Sequence, residues 1–203
     1  FSKLLNHIFP DPEAKEYFLH WTYRSMVSRA DVYLILQGAG AIGKNRLKIH
    51  LRALHGHMNS ADGKKNTLNG NFNGQLSDNT LLYFDEFKFN AEDENIMKEI
   101  PNGTLSIEKK FENTTKSSKI HCSMVIANNK EKDNYIAFDS RKFIPLQMTG
   151  KSLETSMTGE EISEMSSKVE FYDKPGYDIA YIAQIGRWIL KHGESVKWPN
   201  CEY

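Results

Sequence analysis

The sequence predicts an α/β fold with a central, mostly parallel sheet flanked by helices. Three short and nearly unbroken apolar runs, VYLILQ (Val32–Gln37), LLYF (Leu81–Phe84) and SMVIA (Ser123–Ala127), have the length and composition of strands buried on both faces. Segments with helical spacing alternate with them, as strands and helices do in an α/β sheet. Each run ends in glycine or polar residues: GAGAIGKN after the first, Asp85-Glu86 after the second, Asn128-Asn129 after the third.

Asp11-Pro12-Glu13 opens a helix, with a capping side chain, proline at the first helical position and an acid in the first turn. Tyr17, Phe18, Trp21 and Met26 continue it at roughly helical spacing. After the first strand and its glycine loop, Lys44 to about Leu54 reads as a helix with Leu47, Leu51 and Leu54 on one stripe. Residues 56–80 are rich in Gly, Asn and Ser and read as loop, with a short strand around Phe72. Ala91–Ile100 is helical, residues 103–119 have hairpin character, and Phe143–Leu146 is a further strand. Residues 150–168 are polar and partly helical; Asp178–Lys191 is an amphipathic helix carrying Ile179, Ile182, Ile185, Trp188 and Ile189. The resulting division is a helical lead-in (1–30), a core (31–149) with the hairpin near 103–119, and a helical extension (150–203).

The bulk composition narrows the function classes. At 203 residues, 39% hydrophobic and 26% charged, the chain is long enough for one domain with a real core and is not of a disordered class. The formal net charge is zero, so any role with nucleic acid rests on a local patch. The two cysteines, Cys122 and Cys201, form no disulfide framework or CxxC pair, which suits a reducing compartment. No apolar run reaches the roughly 18 residues of a membrane span. The chain starts at Phe1 and stops abruptly at Tyr203, so a domain cut from a longer protein is expected.

The stretch LILQGAGAIGKN (Leu34–Asn45) fits two motifs. As G-x-G-x-x-G, with Gly38, Gly40 and Gly43, it resembles a dinucleotide-binding turn, which also needs an acid at a strand end about 20 residues on. Asp62 lies near that distance, but its context, NSADGKK, reads as a polar turn and not a strand end. As G-x-x-x-x-G-K-[ST], with Gly38, Gly43 and Lys44, it is a P-loop in which Asn45 replaces the usual hydroxyl. Strand, glycine loop and helix follow in the right order, so backbone N–H groups and the helix dipole can hold phosphates. Lys44 can reach the β- and γ-phosphates as a point charge. About 40 residues on, LLYFDE supplies what a Walker B strand needs: Asp85 for the shell of a magnesium ion and Glu86 to orient water. The P-loop reading is therefore preferred. Asn45 is an amide ligand for Mg²⁺, or leaves the metal to phosphates, water and Asp85, or marks a weakened site; the intact remainder of the set favours the first two.

With SMVIANN added, the chain resembles the superfamily 3 helicases, the viral and phage class of AAA+-like P-loop ATPases that includes the papillomavirus replication helicase and poxvirus-type primase-helicases. The likeness runs from about residue 12 to 146. It includes GAGAIGKN, FNGQLSDNTLLYFDEF, IMKEIPNGTLSIEKKF, MVIANN and DSRKFIPL in order, and is nearest to the helicase modules of phage and mobile-element primase-polymerases.

That resemblance implies a set of roles. The cradle for ATP would run through Gly38, Ala39, Gly40, Ala41, Ile42, Gly43, Lys44, Asn45 and Arg46. Asp85 and Glu86 would handle Mg²⁺ and water, and Asn128 would sense the γ-phosphate. Arg141, in Arg-Lys-Phe, would reach the ATP of the neighbouring subunit in a ring, most commonly a hexamer. Lys142 stands where a second arginine is usual. Lys98 matches a lysine often kept before the hairpin. SIEKKFENTTKSSK would be a DNA-tracking hairpin, with Lys109 and Lys110 on phosphates and Phe111 stacking. The resemblance also implies DNA replication, single-stranded DNA as partner, an attached primase or polymerase, no membrane, and the cytoplasm of an infected host cell.

Two other classes fit parts of the pattern. A small-molecule P-loop kinase would need an arginine-rich lid, and the chain offers only Arg141-Lys142. A non-catalytic ring scaffold for an attached primase-polymerase is compatible with Asn45. His50, His55 and His57 have no HExxH or cysteine partner and read as solvated histidines at a helix end. Trp21, Tyr23 and Trp188 read as packing residues. Cys122 and His121 are neighbours on a strand and face opposite ways, so Cys122 reads as a buried thiol.

Overall fold

The computed structural model describes residues 1–64, 67–68, 73–86, 91–100, 104–107, 116–129, 142–170 and 174–193. Helices α1 (Ser2–Ile8) and α2 (Pro12–Val27) lead into β1 (Tyr33–Gln37), the glycine loop and α3 (Lys44–His55). Strand β2 (Ser60–Asp62), helix α4 (Gln75–Asp78) and β3 (Leu81–Asp85) follow, then α5 (Ala91–Glu99) and the strands β4 (Thr104–Ile107) and β5 (Lys116–Lys119). The chain continues through β6 (Ser123–Asn128), β7 (Phe143–Gln147), α6 (Gly159–Ser167) and α7 (Ile179–Gly193).

Five strands form one sheet in the order β2-β3-β6-β1-β7, and every pairing in it is parallel. The apolar runs are unbroken because alternate residues enter two separate cores. Leu34, Leu36, Leu81, Tyr83, Val125 and Ala127 face one core, shared with α1, α2, α3 and α7. Tyr33, Ile35, Leu82, Phe84, Met124 and Ile126 face the other, shared with Leu76, Met97 and Ile100. Strands β4 and β5 form a separate antiparallel pair, with Thr104 level with Lys119 and Ile107 level with Lys116.

Most predicted elements form where expected. Asp11 accepts a hydrogen bond from Glu13 N–H at 3.1 Å with Pro12 at the first helical position of α2. Helix α7 packs on α2 through small residues: a Cβ on Gly193 would lie 2.4 Å from Tyr23 Cβ. Its first residue, Ile179, is 73% exposed, so the apolar stripe begins later than its spacing predicts. Helix α1 carries no side-chain cap, so no start signal marks it in the sequence. Phe72 lies outside the described residues, while the stretch read as loop holds β2 and α4.

Asp62 corrects the reading of NSADGKK as a turn: it ends strand β2, level with Tyr83 of β3. The dinucleotide alternative nevertheless fails, on strand order. β2 is separated from β1 by both β3 and β6, so Asp62 stands far from the glycine loop. Its carboxylate pairs instead with Lys48 at 2.7 Å and Arg52 at 3.8 Å on α3.

β7 is an edge strand. Lys142 O accepts from Tyr33 N–H, and Met148 N–H donates to Gln37 O. Even-numbered positions therefore face β1, and the backbone groups of Phe143, Pro145 and Gln147 face outward. Proline sits where its missing N–H breaks no bond within the sheet.

Candidate functional site

The strand order creates a crevice at the carboxyl ends of the strands. From β1 the chain leaves toward β2 on one side, and β7 lies on the other, with β6 inserted between β1 and β3. Such a switch point is where open parallel sheets bind ligands. A cleft of about 480 Å³ opens there, lined by Gly40, Ala41, Gly43, Lys44, Asn45 and Arg46 from the loop and α3. Asp85 and Glu86 from the end of β3, and Asn129 after β6, complete that part of the wall.

The loop turns into α3 at Gly43, whose φ of 102° is a left-handed conformation that glycine adopts without strain. No side chain caps this helix start, leaving its first N–H groups for a ligand. Ile42 is fully buried and anchors the loop to the core. Gly38 and Ala39 contribute carbonyl oxygens, which accept from Lys44 Nζ at 2.7 and 3.0 Å. Lys44 Nζ also donates to Asn128 O at 3.2 Å. Burial pushes the Lys44 pKa down, while the nearby charges of Asp85 and Glu86 pull it back up.

Asn128 is level with Gln37, one strand from the loop. It is buried, and among the described residues its Oδ1 has no hydrogen-bond partner. A buried amide oxygen without a partner is uncommon and costs stability unless something supplies a donor. The neighbouring Asn129 reaches the cleft surface. Among the described residues, two non-glycines have positive φ, Ala41 at 61° and Glu86 at 51°. Both line this cleft. Such backbone strain concentrates at functional sites.

On the side of the cleft formed by β3 and the start of α3, the oxygen donors are Asp85, Glu86 and the amide of Asn45, all exposed. This hard-oxygen set fits a magnesium ion, which takes one or two protein carboxylates and fills its shell with phosphate and water. Among the described residues no group of three His, Cys, Asp or Glu could hold a metal by itself. The histidines are not solvated as expected: His50 is 0% and His57 9% exposed. Their nitrogens bond Arg46 O and Val169 O, and His55 sits between Ser25 and Thr80. Cys122 is buried and His121 exposed, but both lie in the link between β5 and β6 and not on a strand, so strand alternation is not what separates them.

Sequence reading missed Asn129 and a second wall made by Ser152, Leu153, Glu154 and Ile162. Asn129 was legible in the doubled asparagine; the second wall carries no motif. Arg141, Lys109, Lys110 and Phe111 lie outside the described residues. Lys142, next to Arg141, immediately precedes β7, and its Nζ donates to Lys98 O.

No curated protein matches the chain. Solved structures do. The A form apo structure of the NrS-1 C-terminal region matches with a TM-score of 0.66 at 20% identity, over 96% of this chain and 51% of that one. A structure of NrS-1 residues 305–718 matches at 0.66 and 22% identity, over 96% and 50%. JCV helicase bound to an N-(4-(2-(thiazolo[5,4-c]pyridin-2-yl)phenoxy)phenyl)acetamide matches at 0.55 and 15%, over 96% and 60%. The chain thus has a P-loop NTPase-like helicase fold and spans about half the length of the NrS-1 chains. The DUF5906 model, described as a family of unknown function, matches residues 36–142, from within β1 to the start of β7. That is more than half of the 203 residues, and the chain belongs to the DUF5906 family.

Proposed function

We propose that the cleft binds and hydrolyses ATP, and that hydrolysis drives movement on single-stranded DNA as part of a viral or phage replication helicase. The observation that carries this reading is the convergence of Lys44, Asp85 and Glu86 in one cleft at an uncapped helix start. The loop and the first N–H groups of α3 hold the phosphates. Lys44 exchanges its carbonyl partners for β- and γ-phosphate oxygens. Glu86 orients the attacking water, and Asn128 meets the γ-phosphate end with its buried amide. Asp85 and Asn45 hold Mg²⁺, which when bound neutralises charge on the phosphoryl oxygens.

Arg141 acts on the ATP of a neighbouring copy in a ring. The bond from Tyr33 N–H to Lys142 O supports this, because it sets residue 142 at the opposite end of β1 from the loop. Four residue steps separate those ends, about 13 Å. The antiparallel β4–β5 pair supports a hairpin that carries Lys109, Lys110 and Phe111 to the DNA backbone. Asn45 favours a second reading, an ATP- or DNA-binding ring scaffold with little turnover beside an attached primase-polymerase.

The test is Mg²⁺-dependent ATP hydrolysis with and without single-stranded DNA, for wild type, Lys44→Ala and Arg141→Ala, with oligomer size measured on the same samples. DNA-stimulated turnover lost in both variants supports the motor. A confirmed ring that binds ATP without turnover overturns the motor and leaves the scaffold.

A further inference from the structure

The second wall of the cleft is not needed for phosphate chemistry. It follows β7, on one side of β1, whereas Asp85 and Glu86 follow β3, on the other. The loop and Lys44 lie between them. A triphosphate whose γ end meets the carboxylates therefore directs its other end to Leu153 and Ile162.

This wall is fixed to the loop. Leu153 N–H donates to Ala41 O at 3.0 Å, and the Leu153 side chain is buried, 3.3 Å from where a Cβ on Gly43 would lie. Ser156 Oγ is 2.8 Å from His7 Nδ1 on α1. Thr158 and Glu161 close a capping box at the start of α6, and Lys3 pairs with Glu161 at 2.7 Å. The wall's chemistry is mixed: apolar Leu153 and Ile162, the Ser152 hydroxyl and the exposed Glu154 carboxylate. Apolar side chains cover the face of an aromatic base, and a carboxylate accepts from an amine on its edge. The cleft, about 480 Å³, lies in the usual size range of small-molecule sites and has room for more than a phosphate chain.

We propose that the turn Ser152–Glu154 together with Ile162 is the nucleoside subsite, and that Glu154 selects bases bearing an exocyclic amine, adenine above all, over uracil. Uracil presents a carbonyl oxygen in the corresponding place, which a carboxylate repels. This rests on the reading of the cleft as a triphosphate site.

Calorimetric titration with Mg²⁺ and ATP, UTP or inorganic tripolyphosphate tests it, on wild type, Glu154→Ala and Glu154→Lys, with circular dichroism to confirm the fold. Wild type should prefer ATP to UTP by about tenfold, the value of one hydrogen bond at a half-open site. Glu154→Ala should bring the two nucleotides to near equality without changing tripolyphosphate binding. Glu154→Lys should favour UTP, because its ammonium donates to the uracil carbonyl. An ATP-to-UTP ratio unchanged across all three proteins overturns the assignment. Tripolyphosphate binding wild type as tightly as ATP also overturns it and leaves the phosphate site standing. No binding of either overturns both.

Discussion

The Lys44 ammonium donates to the backbone carbonyl of Asn128 at 3.2 Å, which ties the glycine loop to the strand inserted between β1 and β3. The same carbonyl accepts from Gly38 N–H at 3.3 Å. One oxygen thus serves both ends of the loop, and any ligand that draws Lys44 away alters what holds Asn128.

Lys44→Ala should weaken nucleotide binding by about 10- to 100-fold, the range for a lost charge-assisted hydrogen bond. It should also destabilise the free protein by about 1–3 kcal/mol, because buried carbonyls lose their donor. Calorimetry and thermal melts read the two effects. Unchanged binding would remove Lys44 from the site.

Asn128→Ala separates function from folding. The Asn128 Oδ1 is buried without a partner among the described residues, so its loss should change stability by less than about 1 kcal/mol. Turnover should fall about 100-fold, as for other preorganised polar groups that meet developing charge. A variant that is less stable yet fully active would make Asn128 a packing residue.

Gly38→Ala and Gly40→Ala form a paired test. A Cβ at Gly38 would lie 2.6 Å from Ile42 Cδ1 and 3.0 Å from Met148 Cβ, whereas Gly40 has nothing within 4 Å. The first substitution should destabilise the fold by about 1–3 kcal/mol. The second should change stability by less than about 0.5 kcal/mol. Reduced ATP affinity in Gly40→Ala then reports direct contact between loop and ligand. Equal stabilities for the two variants would contradict the loop geometry.

Acid should weaken the fold as the pH falls below about 6.5. Burial holds the pKa values of His50 and His55 down at about 4. The unfolded chain takes up these protons near pH 6.5, and the folded chain does so only near 4. Stability is therefore full above about 6.5 and is lost as pH falls toward 4, by up to about 1.4 kcal/mol per pH unit for each histidine. Urea midpoints at pH 7, 6 and 5 measure the slope, and His50→Gln should flatten it by one proton's share. An identical slope in that variant would acquit His50.

The sheet was legible in the sequence because burial on both faces leaves runs such as Leu34–Leu36 with no polar residue to misplace. Asp85 and Glu86 were legible because they stand just past such a run, and Lys44 because the glycine spacing Gly38–Gly43 after another run leads to it. β2 was not: three residues at a sheet edge, Ser60–Asp62, carry too little apolar pattern to stand out from a turn. The wall at Leu153 and Glu154 was invisible for another reason. It meets the loop through a backbone hydrogen bond between residues 112 positions apart, Leu153 N–H to Ala41 O, which no local pattern encodes. The histidines were misread because tertiary packing, not their helix, buries His50 and His57.

Pro145 has a bearing on how copies of this chain can meet. An incoming strand laid along β7 would seek outward N–H groups at 143, 145 and 147, and the middle one does not exist. Continuous backbone zippering on that side is interrupted halfway, so the molecule cannot template its own stacking into ribbons there. Any association on this flank is left to side chains, whose fit can be released and remade.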